Sequence, residues 1–357
     1  MKILIDIGHP AHVHYFKHFI KIMKQKGHEF LVTARDKEIT QQLLNTYKIP
    51  FINRGKGGSS LLGKLFYMIR ADWFLYKVAR KFKPDLFLSF SSPYAAHASK
   101  LFGKPHIAFD DTEHAKFELM IYPPFTDVIL NPKSFQKNLG KKQILFDSYM
   151  EFSYLHENYF SPDENIRLLL NLERKEKFVL FRFISWGASH DIGQSGIPND
   201  TKLSLIKLFE NKGFKVFISA EGSLSDTFEK YRISISPEKI HSVLHEASFF
   251  IGESGTMATE SAIMGTPSIF VNSLDAGVFQ DEVNYGLLYS YRNAVGLFEK
   301  VEALISNESI NQEHLQKRLK LHKDKIDVTA FMIWFIENYP QSAKIMKENP
   351  DYQYRFK

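Results

Sequence analysis

Short apolar runs alternate with longer segments of helical periodicity along most of the chain. In the first half, the apolar runs that predict strands are residues 2–8, 29–34, 51–53, 85–90, 106–110 and 127–132. Helical segments separate these runs, chiefly residues 14–26 and 61–82. A second series of strand-like runs follows at residues 178–184, 214–220, 248–253 and 267–272. Such alternation is typical of βαβ units around a parallel sheet, so the pattern predicts an α/β fold.

One interruption divides this pattern into two series. Polar and charged residues dominate the segment 151–177, which we interpret as a linker that carries a helix. At 357 residues the chain is long enough for two hydrophobic cores. We therefore predict an N-terminal Rossmann-like domain over residues 1–160, a C-terminal one over residues 161–340, and a tail over residues 341–357.

The composition narrows the classes of function. Hydrophobic residues make up 44% of the chain and charged residues 24%, and no apolar run approaches the span of a bilayer, which needs about 18 residues. With no secretory signal at the start, we expect a protein of the cytoplasm. The chain has no cysteine, which excludes disulfides, thiolate nucleophiles and cysteine-based metal sites.

Positive charge is concentrated in the first half of the chain. Residues 1–150 contain 23 Lys and Arg against 12 Asp and Glu, while the remaining residues contain 23 against 28. We expect no nucleic-acid partner, because no recognition helix, zinc finger or aromatic RNA-binding signature is present. Within this half, residues 54–84 interleave basic and aromatic side chains. That pattern suits an anionic membrane surface, although it would also suit a helix packing its apolar stripe on the sheet.

The most informative chemistry lies in residues 249–272, which read as strand, turn, helix and strand. Ser254, Gly255 and Thr256 fall where the first strand gives way to the helix, so free backbone N–H groups would face an anion such as a diphosphate. Glu260 follows Thr256 by four residues on the same helical face and could reach a ribose. The alternative is an N-capped structural helix with Glu260 as a surface charge.

The stretch from Ser254 to Pro267 resembles the donor-binding helix of the GT-B glycosyltransferase superfamily. Its spacing from Ser254 to Glu260 is similar to that of the non-hydrolysing UDP-GlcNAc 2-epimerases, and the peptidoglycan UDP-GlcNAc transferase has a related pattern. Residues 237–267 resemble more closely an uncharacterised prokaryotic family, domain-of-unknown-function 354. This resemblance implies a GT-B fold, in which two Rossmann-like domains face each other across a cleft with their parallel sheets.

The same resemblance implies how a nucleotide-sugar donor is bound, with no obligatory metal and no other cofactor. Ser254 to Thr256 would contact the diphosphate and Glu260 the ribose. The loop from Arg232 to Pro237, which includes Ile235, would border the base.

The first strand ends in a turn that contains Gly8 and opens a helix at the carboxyl edge of the sheet. A similar turn holds this place in the peptidoglycan transferase, so we expect Gly8 to contact the donor and His12 to be a catalytic or phosphate-facing group. His9 and His14 are expected on the acceptor side. Capping or solvated histidines are the alternatives, and the spacing of the three does not predict a metal site.

Another strand ends in Asp110 and Glu113, and either carboxylate could be a general base for an acceptor hydroxyl or a helix cap. The turn before them resembles the acceptor-side turn of the same transferases and offers Ser91, Ser92 and Tyr94.

In the second half, Arg182 ends a strand and could balance the charge of a departing diphosphate, or be a buried structural arginine. The loop after it resembles the donor-side loop of GT-B enzymes and contributes Ser185, Trp186 and Ser189. We expect His241 and His245, one helical turn apart, to be surface or base-side residues.

These features together predict a glycosyltransferase that moves a sugar from a nucleoside diphosphate donor, with UDP favoured, to a lipid-linked or polysaccharide acceptor. Its expected place is the cytoplasm or the inner face of the cell membrane. A UDP-sugar 2-epimerase is the first alternative, although the catalytic signatures of that family are replaced here. A nucleotide-sugar-binding protein without turnover is the second.

Overall fold

The computed structural model describes residues 1–37, 39–58, 61–184, 196–220 and 222–357, and their side chains except at positions 61 and 62. These residues form two compact units. The first unit contains residues 1–159 and 325–357, and the second contains residues 160–324. Each unit is built on one sheet whose strands all pair in parallel, which confirms the predicted α/β class with two parallel sheets.

The strands of the first unit are β1 (Lys2–Ile7), β2 (Glu29–Ala34), β3 (Phe51–Asn53), β4 (Leu86–Phe90), β5 (His106–Phe109), β6 (Val128–Pro132) and β7 (Gln143–Phe146). They form a sheet in the order β3-β2-β1-β4-β5-β6-β7. The helices that accompany them are α1 (Pro10–Gln25), α2 (Thr40–Thr46), α3 (Leu61–Phe82), α4 (Pro93–Leu101), α5 (Glu118–Ile121) and α6 (Phe152–Leu155).

Helix α1 shows how the sequence builds this unit. Pro10 lies at its first position, where a fixed φ suits the first turn and no N–H is needed. Val13, Phe16 and Ile20 recur at helical spacing and are fully or almost fully buried. The amphipathic helix therefore covers one part of the core.

The second unit has the strands β8 (Phe178–Phe183), β9 (Lys215–Ala220), β10 (Phe249–Gly252), β11 (Ser268–Val271) and β12 (Leu288–Tyr291). Their order in the sheet is β12-β11-β10-β8-β9. The helices are α7 (Ile166–Leu169), α8 (Asn199–Asn211), α9 (Asp226–Glu229), α10 (Ile240–Glu246), α11 (Gly255–Ile263), α12 (Gly277–Asn284), α13 (Leu297–Ile305) and α14 (Ile310–Asp324).

The last part of the chain, residues 325–357, belongs to the first unit, whereas the sequence pattern predicted that the second domain ends at residue 340. Helices α15 (Val328–Glu337) and α16 (Gln341–Glu348) both belong to the first unit. The reason is the packing of α15, whose Thr329 hydroxyl donates to the carbonyl oxygen of Ser153 at 2.8 Å. Phe331 on the same helix lies 6.0 Å from the ring of Phe146. The order of apolar and polar residues along the chain does not reveal that these helices pack back on the first unit.

All ten predicted strands are confirmed to within one residue at each end. The sequence pattern missed β7 and β12, which are edge strands of four residues with polar or exposed positions. Among the described residues, no helix has both the length and the apolarity needed to cross a membrane.

Candidate functional site

At the carboxyl edge of the first sheet, the strand order reverses at the neighbouring strands β1 and β4. Such a switch point opens a crevice where parallel α/β sheets bind ligands. Gly8 follows β1, Ser91 follows β4, and α1 and α4 begin shortly after. Ser91 has a φ of 45°, which is a strained conformation for a residue with a Cβ atom and concentrates at functional sites. This edge is therefore the candidate site of the first unit.

Two of the predicted acceptor-side residues cap the helices at this edge. Nδ1 of His9 accepts a hydrogen bond from the amide of Ala11 at 3.3 Å. The Ser92 hydroxyl accepts from the amide of Ala95 at 3.3 Å and donates to Oδ2 of Asp6 at 2.5 Å. The positive ends of both helix dipoles lie at the carboxyl edge, so they favour negative charge there.

His12 lies at the same turn, with its Nδ1 3.3 Å from the amide nitrogen of Gly8. Burial lowers the pKa of His12 well below its usual value. Nearby positive charges lower this pKa further, and they belong to His9, Lys37 and Arg54. Near pH 7 the ring is neutral and accepts the Gly8 proton at Nδ1, so its hydrogen is on Nε2. His12 is thus a hydrogen-bond donor at Nε2 in this arrangement rather than a base.

The three histidines of this turn have separate partners. Nδ1 of His14 lies 3.3 Å from the Tyr47 hydroxyl, and its ring lies 5.2 Å from that of Tyr154. His14 is therefore buried in the packing of α1, whereas His9 caps the helix and His12 contacts Gly8. Among the described residues, no three His, Asp or Glu side chains are grouped so that they could hold a metal ion.

The two carboxylates predicted as bases are both buried and both bonded within the first unit. Oδ1 of Asp110 accepts from the Thr112 amide at 2.9 Å, and Oδ2 accepts from the Tyr122 hydroxyl at 2.6 Å. Burial raises the pKa of Asp110 to about 6, although these hydrogen bonds oppose the rise. Oε1 of Glu113 accepts from the Gln136 amide at 3.0 Å. These contacts fit a structural role for both residues.

Asp111 is a carboxylate that the sequence pattern suggested as a helix cap and not as a base. It is half-buried, and the Thr112 hydroxyl donates to its Oδ1 at 3.2 Å. Burial raises the pKa of Asp111 to about 7, and the charge of Asp110 adds to this rise. A carboxylate with a pKa near neutrality is suited to take a proton from a hydroxyl group. Asp111 is therefore a better candidate for the base, and its place two residues after the end of β5 is the signal that could have found it.

Tyr94 packs against Arg54, for which the sequence pattern predicted no role beyond membership of the basic segment 54–84. Its ring centroid lies 4.6 Å from the guanidinium carbon of Arg54. Nε of Arg54 donates to Oδ1 of Asp6 at 2.9 Å, and both side chains of this ion pair are buried. A buried arginine therefore lies next to the switch point of the first sheet.

The second sheet has its own switch point, where β8 and β10 are neighbours. Helix α11 begins directly after β10, with Ser254 as its N-cap residue. Within the described chain, the Ser254 hydroxyl makes no capping hydrogen bond. Ser254, Gly255 and Thr256 are half-exposed, so the first-turn amides of α11 are available to an anion. A Cβ atom on Gly255 would come within 2.6 Å of the Phe279 ring, so glycine is also required for packing.

Glu260 lies on α11 and is buried, which excludes an ordinary surface charge. Its Oε1 is 2.9 Å from Nε2 of His241 on α10. The prediction of a surface position for His241 is therefore wrong, because its ring is the partner of a buried carboxylate. His245 is partly exposed, and its ring lies 6.0 Å from that of Phe160.

Arg182 is the last but one residue of β8 and is half-buried, and its Nη1 donates to the Ser219 hydroxyl on β9 at 2.8 Å. Arg232 follows α9 and bonds Glu229 through Nε at 2.6 Å and through Nη2 at 3.0 Å. Ile235, three residues later, is half-buried in the loop that leads to α10. The donor-side residues Ser185, Trp186 and Ser189 lie outside the described residues.

Glu253, the residue between β10 and Ser254, is fully buried and was missed from the sequence. Its Oε2 accepts from the Ile184 amide at 3.0 Å. Its Oε1 accepts from the Ile197 amide at 2.8 Å and lies 3.0 Å from Nζ of Lys202. One carboxylate thus holds Ile184 and Ile197 near the switch point. A charged residue at the end of a buried strand is the signal that could have found it.

This fold and its two switch-point edges define an α/β protein of the GT-B type. The UDP-GlcNAc 2-epimerase of Neisseria meningitidis bound to UDP-GlcNAc is similar, with a TM-score of 0.70 and 14% identity over 95% of this chain and 100% of that one. MurG of Acinetobacter baumannii is similar with a TM-score of 0.57 and 14% identity, over 94% and 99% of the two chains. At these identities the likeness concerns the fold.

The chain belongs to the family described as protein of unknown function DUF354, whose profile matches residues 1–325. Uncharacterized protein MJ0665 of Methanocaldococcus jannaschii is 25% identical over 284 residues, which are 75% of this chain and 81% of that protein. The resemblance to this family that the sequence suggested is thus confirmed.

Proposed function

We propose that the protein is a glycosyltransferase that moves a sugar from a UDP-sugar to a lipid-linked or polysaccharide acceptor. The observation that carries the proposal is the start of α11, where half-exposed first-turn amides at a switch point precede the buried Glu260. This arrangement suits a diphosphate followed by a ribose. UDP is favoured because a protein of the same fold was solved bound to UDP-GlcNAc.

In this proposal the second unit binds the donor. The amides of Ser254 to Thr256 hold the diphosphate, and Glu260, oriented by His241, accepts hydrogen bonds from the ribose hydroxyls. The loop with Arg232 and Ile235 borders the base. Arg182 and the dipole of α11 stabilise the negative charge that develops as the diphosphate leaves.

The first unit binds the acceptor and activates it. The Asp111 carboxylate takes the proton of an acceptor hydroxyl, and the oxygen attacks the anomeric carbon of the sugar. A bond from this carbon to the acceptor oxygen forms as its bond to the diphosphate oxygen breaks. The diphosphate leaves with the bonding electron pair, so no redox partner or metal is required for balance. His12 donates a hydrogen bond from Nε2 to the acceptor.

A lipid-linked acceptor would bring the protein to the inner face of the cell membrane, and helix α3 supports such a contact. Its exposed apolar face consists of Leu65, Phe66, Ile69 and Trp73, of which Phe66 is 71% exposed. Basic residues lie on the same helix, among them Arg70, Lys77 and Arg80. Exposed apolar and aromatic groups beside positive charges suit an anionic bilayer surface.

The experiment that tests the donor site is a thermal-shift series with nucleoside diphosphates and UDP-sugars. A ligand at a hundred times its Kd adds about 2.7 kcal/mol to the free energy of unfolding. We expect UDP to raise the Tm of the wild type, and Glu260→Ala to remove most of this rise. Glu302→Ala is the matched control, because Glu302 is an exposed acid on α13.

Turnover separates the proposal from its two alternatives. Proton NMR of a UDP-sugar with the protein would show a second epimer if the protein were a 2-epimerase. Binding of UDP without sugar transfer to any phosphorylated lipid or glycan acceptor would favour a binding protein. If no nucleotide shifts the Tm, the start of α11 is not a donor site.

A further inference from the structure

A chain of buried hydrogen bonds links the turn after β4 with the turn after β5 in the first unit. At its first end, the Ser92 amide donates to Oγ of Ser89 at 3.1 Å. This Oγ lies 2.9 Å from Nε2 of His106, whose Nδ1 lies 2.9 Å from Oγ1 of Thr126. Ser89, His106 and Thr126 are fully buried. One histidine therefore joins the turn after β4 to the segment that precedes β6.

The other end of this chain is the turn that carries the proposed base. The Thr126 hydroxyl donates to the carbonyl oxygen of Tyr122 at 2.9 Å, and the Tyr122 hydroxyl donates to Oδ2 of Asp110 at 2.6 Å. The Thr112 amide donates to the other oxygen of Asp110 at 2.9 Å. Asp111 lies between the two residues that this last bond joins. Tyr122 therefore holds the turn on which Asp111 lies.

Only one arrangement of hydrogens satisfies every contact in this chain. The Thr126 hydroxyl has one hydrogen and the Tyr122 carbonyl can only accept it, so Nδ1 of His106 donates to Oγ1. Nε2 of His106 then carries no hydrogen and accepts from the Ser89 hydroxyl. Burial lowers the pKa of His106 to about 3, so the ring is neutral near pH 7. The histidine thus gives the chain a fixed direction.

The same contacts support the strained turn after β4. Ser91 has a φ of 45°, a conformation that persists only where the surroundings impose it. Its amide donates to the carbonyl oxygen of Phe109 at 2.9 Å, and the next amide, that of Ser92, donates to Ser89. Because the Ser89 hydroxyl donates to His106, its oxygen faces the Ser92 amide as an acceptor. His106 therefore acts on this turn through Ser89.

The carboxylate at the other end acts on Asp111 through its charge. Burial raises the pKa of Asp110 to about 6, and the hydrogen bond from Tyr122 limits this rise. Asp110 is therefore charged near pH 7, and its charge adds to the rise that burial causes in the pKa of Asp111. The other charged side chains that act on these two carboxylates are Glu113, Glu118 and Lys137.

We propose that His106 and Tyr122 are positioning residues, and that the chain they form holds the turns at Asp111 and Ser91 in one arrangement for the transfer reaction. This step rests on the proposed function, because only there is Asp111 the base. His106 begins β5, whereas both turns follow the carboxyl ends of strands. The histidine thus acts from the opposite edge of the sheet. Both positioning residues are fully buried and act through their hydrogen-bond partners.

Tyr122→Phe removes one hydroxyl group and tests the end of the chain at Asp110. Without this donor the pKa of Asp110 should rise, and the pKa of Asp111 should fall because its neighbour is neutral near pH 7. We expect each to move by roughly half a pH unit or more. Carboxyl carbon-13 NMR follows both titrations, with each signal assigned by its loss in Asp110→Asn or Asp111→Asn. A merely loosened turn would admit water and lower both pKa values.

Tyr354→Phe is the matched control for this variant. The Tyr354 hydroxyl donates to Oδ2 of Asp147 at 2.8 Å, so the control also removes a tyrosine–aspartate hydrogen bond from the first unit. We expect it to leave the titrations of Asp110 and Asp111 unchanged.

Nitrogen-15 NMR and turnover test the histidine. We expect the His106 ring at pH 7 to be neutral, with its hydrogen on Nδ1. His106→Leu should lower kcat about tenfold or more while the Kd of UDP is kept, and His106→Asn, which keeps an N–H donor towards Thr126, should restore part of the rate. His28→Asn is the control, since His28 precedes β2 and contacts Glu337. If His106→Leu does not fold, Tyr122→Phe decides.

The outcomes separate this inference from the proposed function. Opposite movements of the two aspartate titrations, together with a hydrogen on Nδ1 of His106, would support the chain. Movement of both titrations in one direction, no movement, or a hydrogen on Nε2 would overturn it. Absence of sugar transfer by the wild type would count against the proposed function alone, because both NMR results are obtained without turnover.

Discussion

His241 and Glu260 form a buried pair in the second unit, with 2.9 Å between Nε2 and Oε1. The histidine therefore positions the acid that we assign to the ribose. We expect His241→Ala to weaken UDP binding roughly tenfold, because the hydrogen bond that fixes the carboxylate is lost. Isothermal titration with UDP checks this expectation.

Two further variants separate positioning from a general loss of structure. His241→Gln keeps an N–H donor and should restore most of the affinity for UDP. His245→Ala changes the same helix one turn later and should leave the affinity near that of the wild type. An affinity for UDP that is unaltered in His241→Ala would show that Glu260 does not depend on this contact.

The rate of sugar transfer should depend on the ionisation of Asp111. Because only the carboxylate form can accept a proton, we expect kcat to rise with pH through about 7, the raised pKa of Asp111. Asp111→Asn should lower kcat by about 10²–10⁴-fold with little change in UDP affinity. Glu157→Gln, at an exposed acid of the first unit, is the control. A pH profile that is the same in Asp111→Asn would remove Asp111 as the base.

The same residue should limit stability. The pKa of Asp111 is about 7 in the folded protein and about 3.9 in the unfolded chain. The protonated side chain therefore contributes its full stability below about pH 3.9, and this contribution is lost as pH rises through about 7. Asp111→Asn cannot ionise. We expect it to be more stable than the wild type at pH 8, by about 1 kcal/mol or more, and equal to it near pH 4. Urea unfolding at both pH values measures the difference.

The carboxylate of Glu253 should be essential to the stability of the second unit. It accepts from two backbone amides and pairs with Lys202 in a fully buried position. In Glu253→Gln the side-chain NH₂ group would face one of these backbone N–H donors, which would lose its hydrogen-bond acceptor. Lys202 would also lose its charged partner. We expect a loss of about 3–5 kcal/mol in the free energy of unfolding, measured with urea. The exposed Glu302→Gln is the control, and a loss for Glu253→Gln as small as that of the control would contradict the assignment.

The exposed apolar face of α3 should direct the protein to anionic membranes. We expect Phe66→Ser with Trp73→Ser to lower partitioning onto phosphatidylglycerol vesicles by about tenfold or more, because both side chains would lose apolar burial in the bilayer. Vesicle co-sedimentation measures this change. Val295→Ser, in the second unit, removes an equally exposed apolar residue and should have no effect. Equal sedimentation of all variants would refute the contact.

The order of apolar and polar residues was enough to predict the strands and the α/β class. Buried parallel strands such as β1 and β8 are mostly apolar runs, each with one or two charged residues, and a sequence displays such runs directly. The position of Ser254 to Thr256 at a helix N-terminus also followed from the sequence, because a strand, a glycine turn and a helix are local features. Edge strands such as β12 were missed because their polar positions weaken the apolar signal.

Only the tertiary structure decided which polar groups are partners. Asp6 and Arg54 are 48 residues apart, and His241 and Glu260 lie on different helices, so neither pair leaves a periodic pattern. The return of α15 to the first unit likewise depends on long-range packing. The sequence by itself determined where strands end and helices begin, because those signals are local. The partners of buried charges depended on which strand ends the fold brings together. These neighbours in turn shift the pKa values of His12 and Asp111.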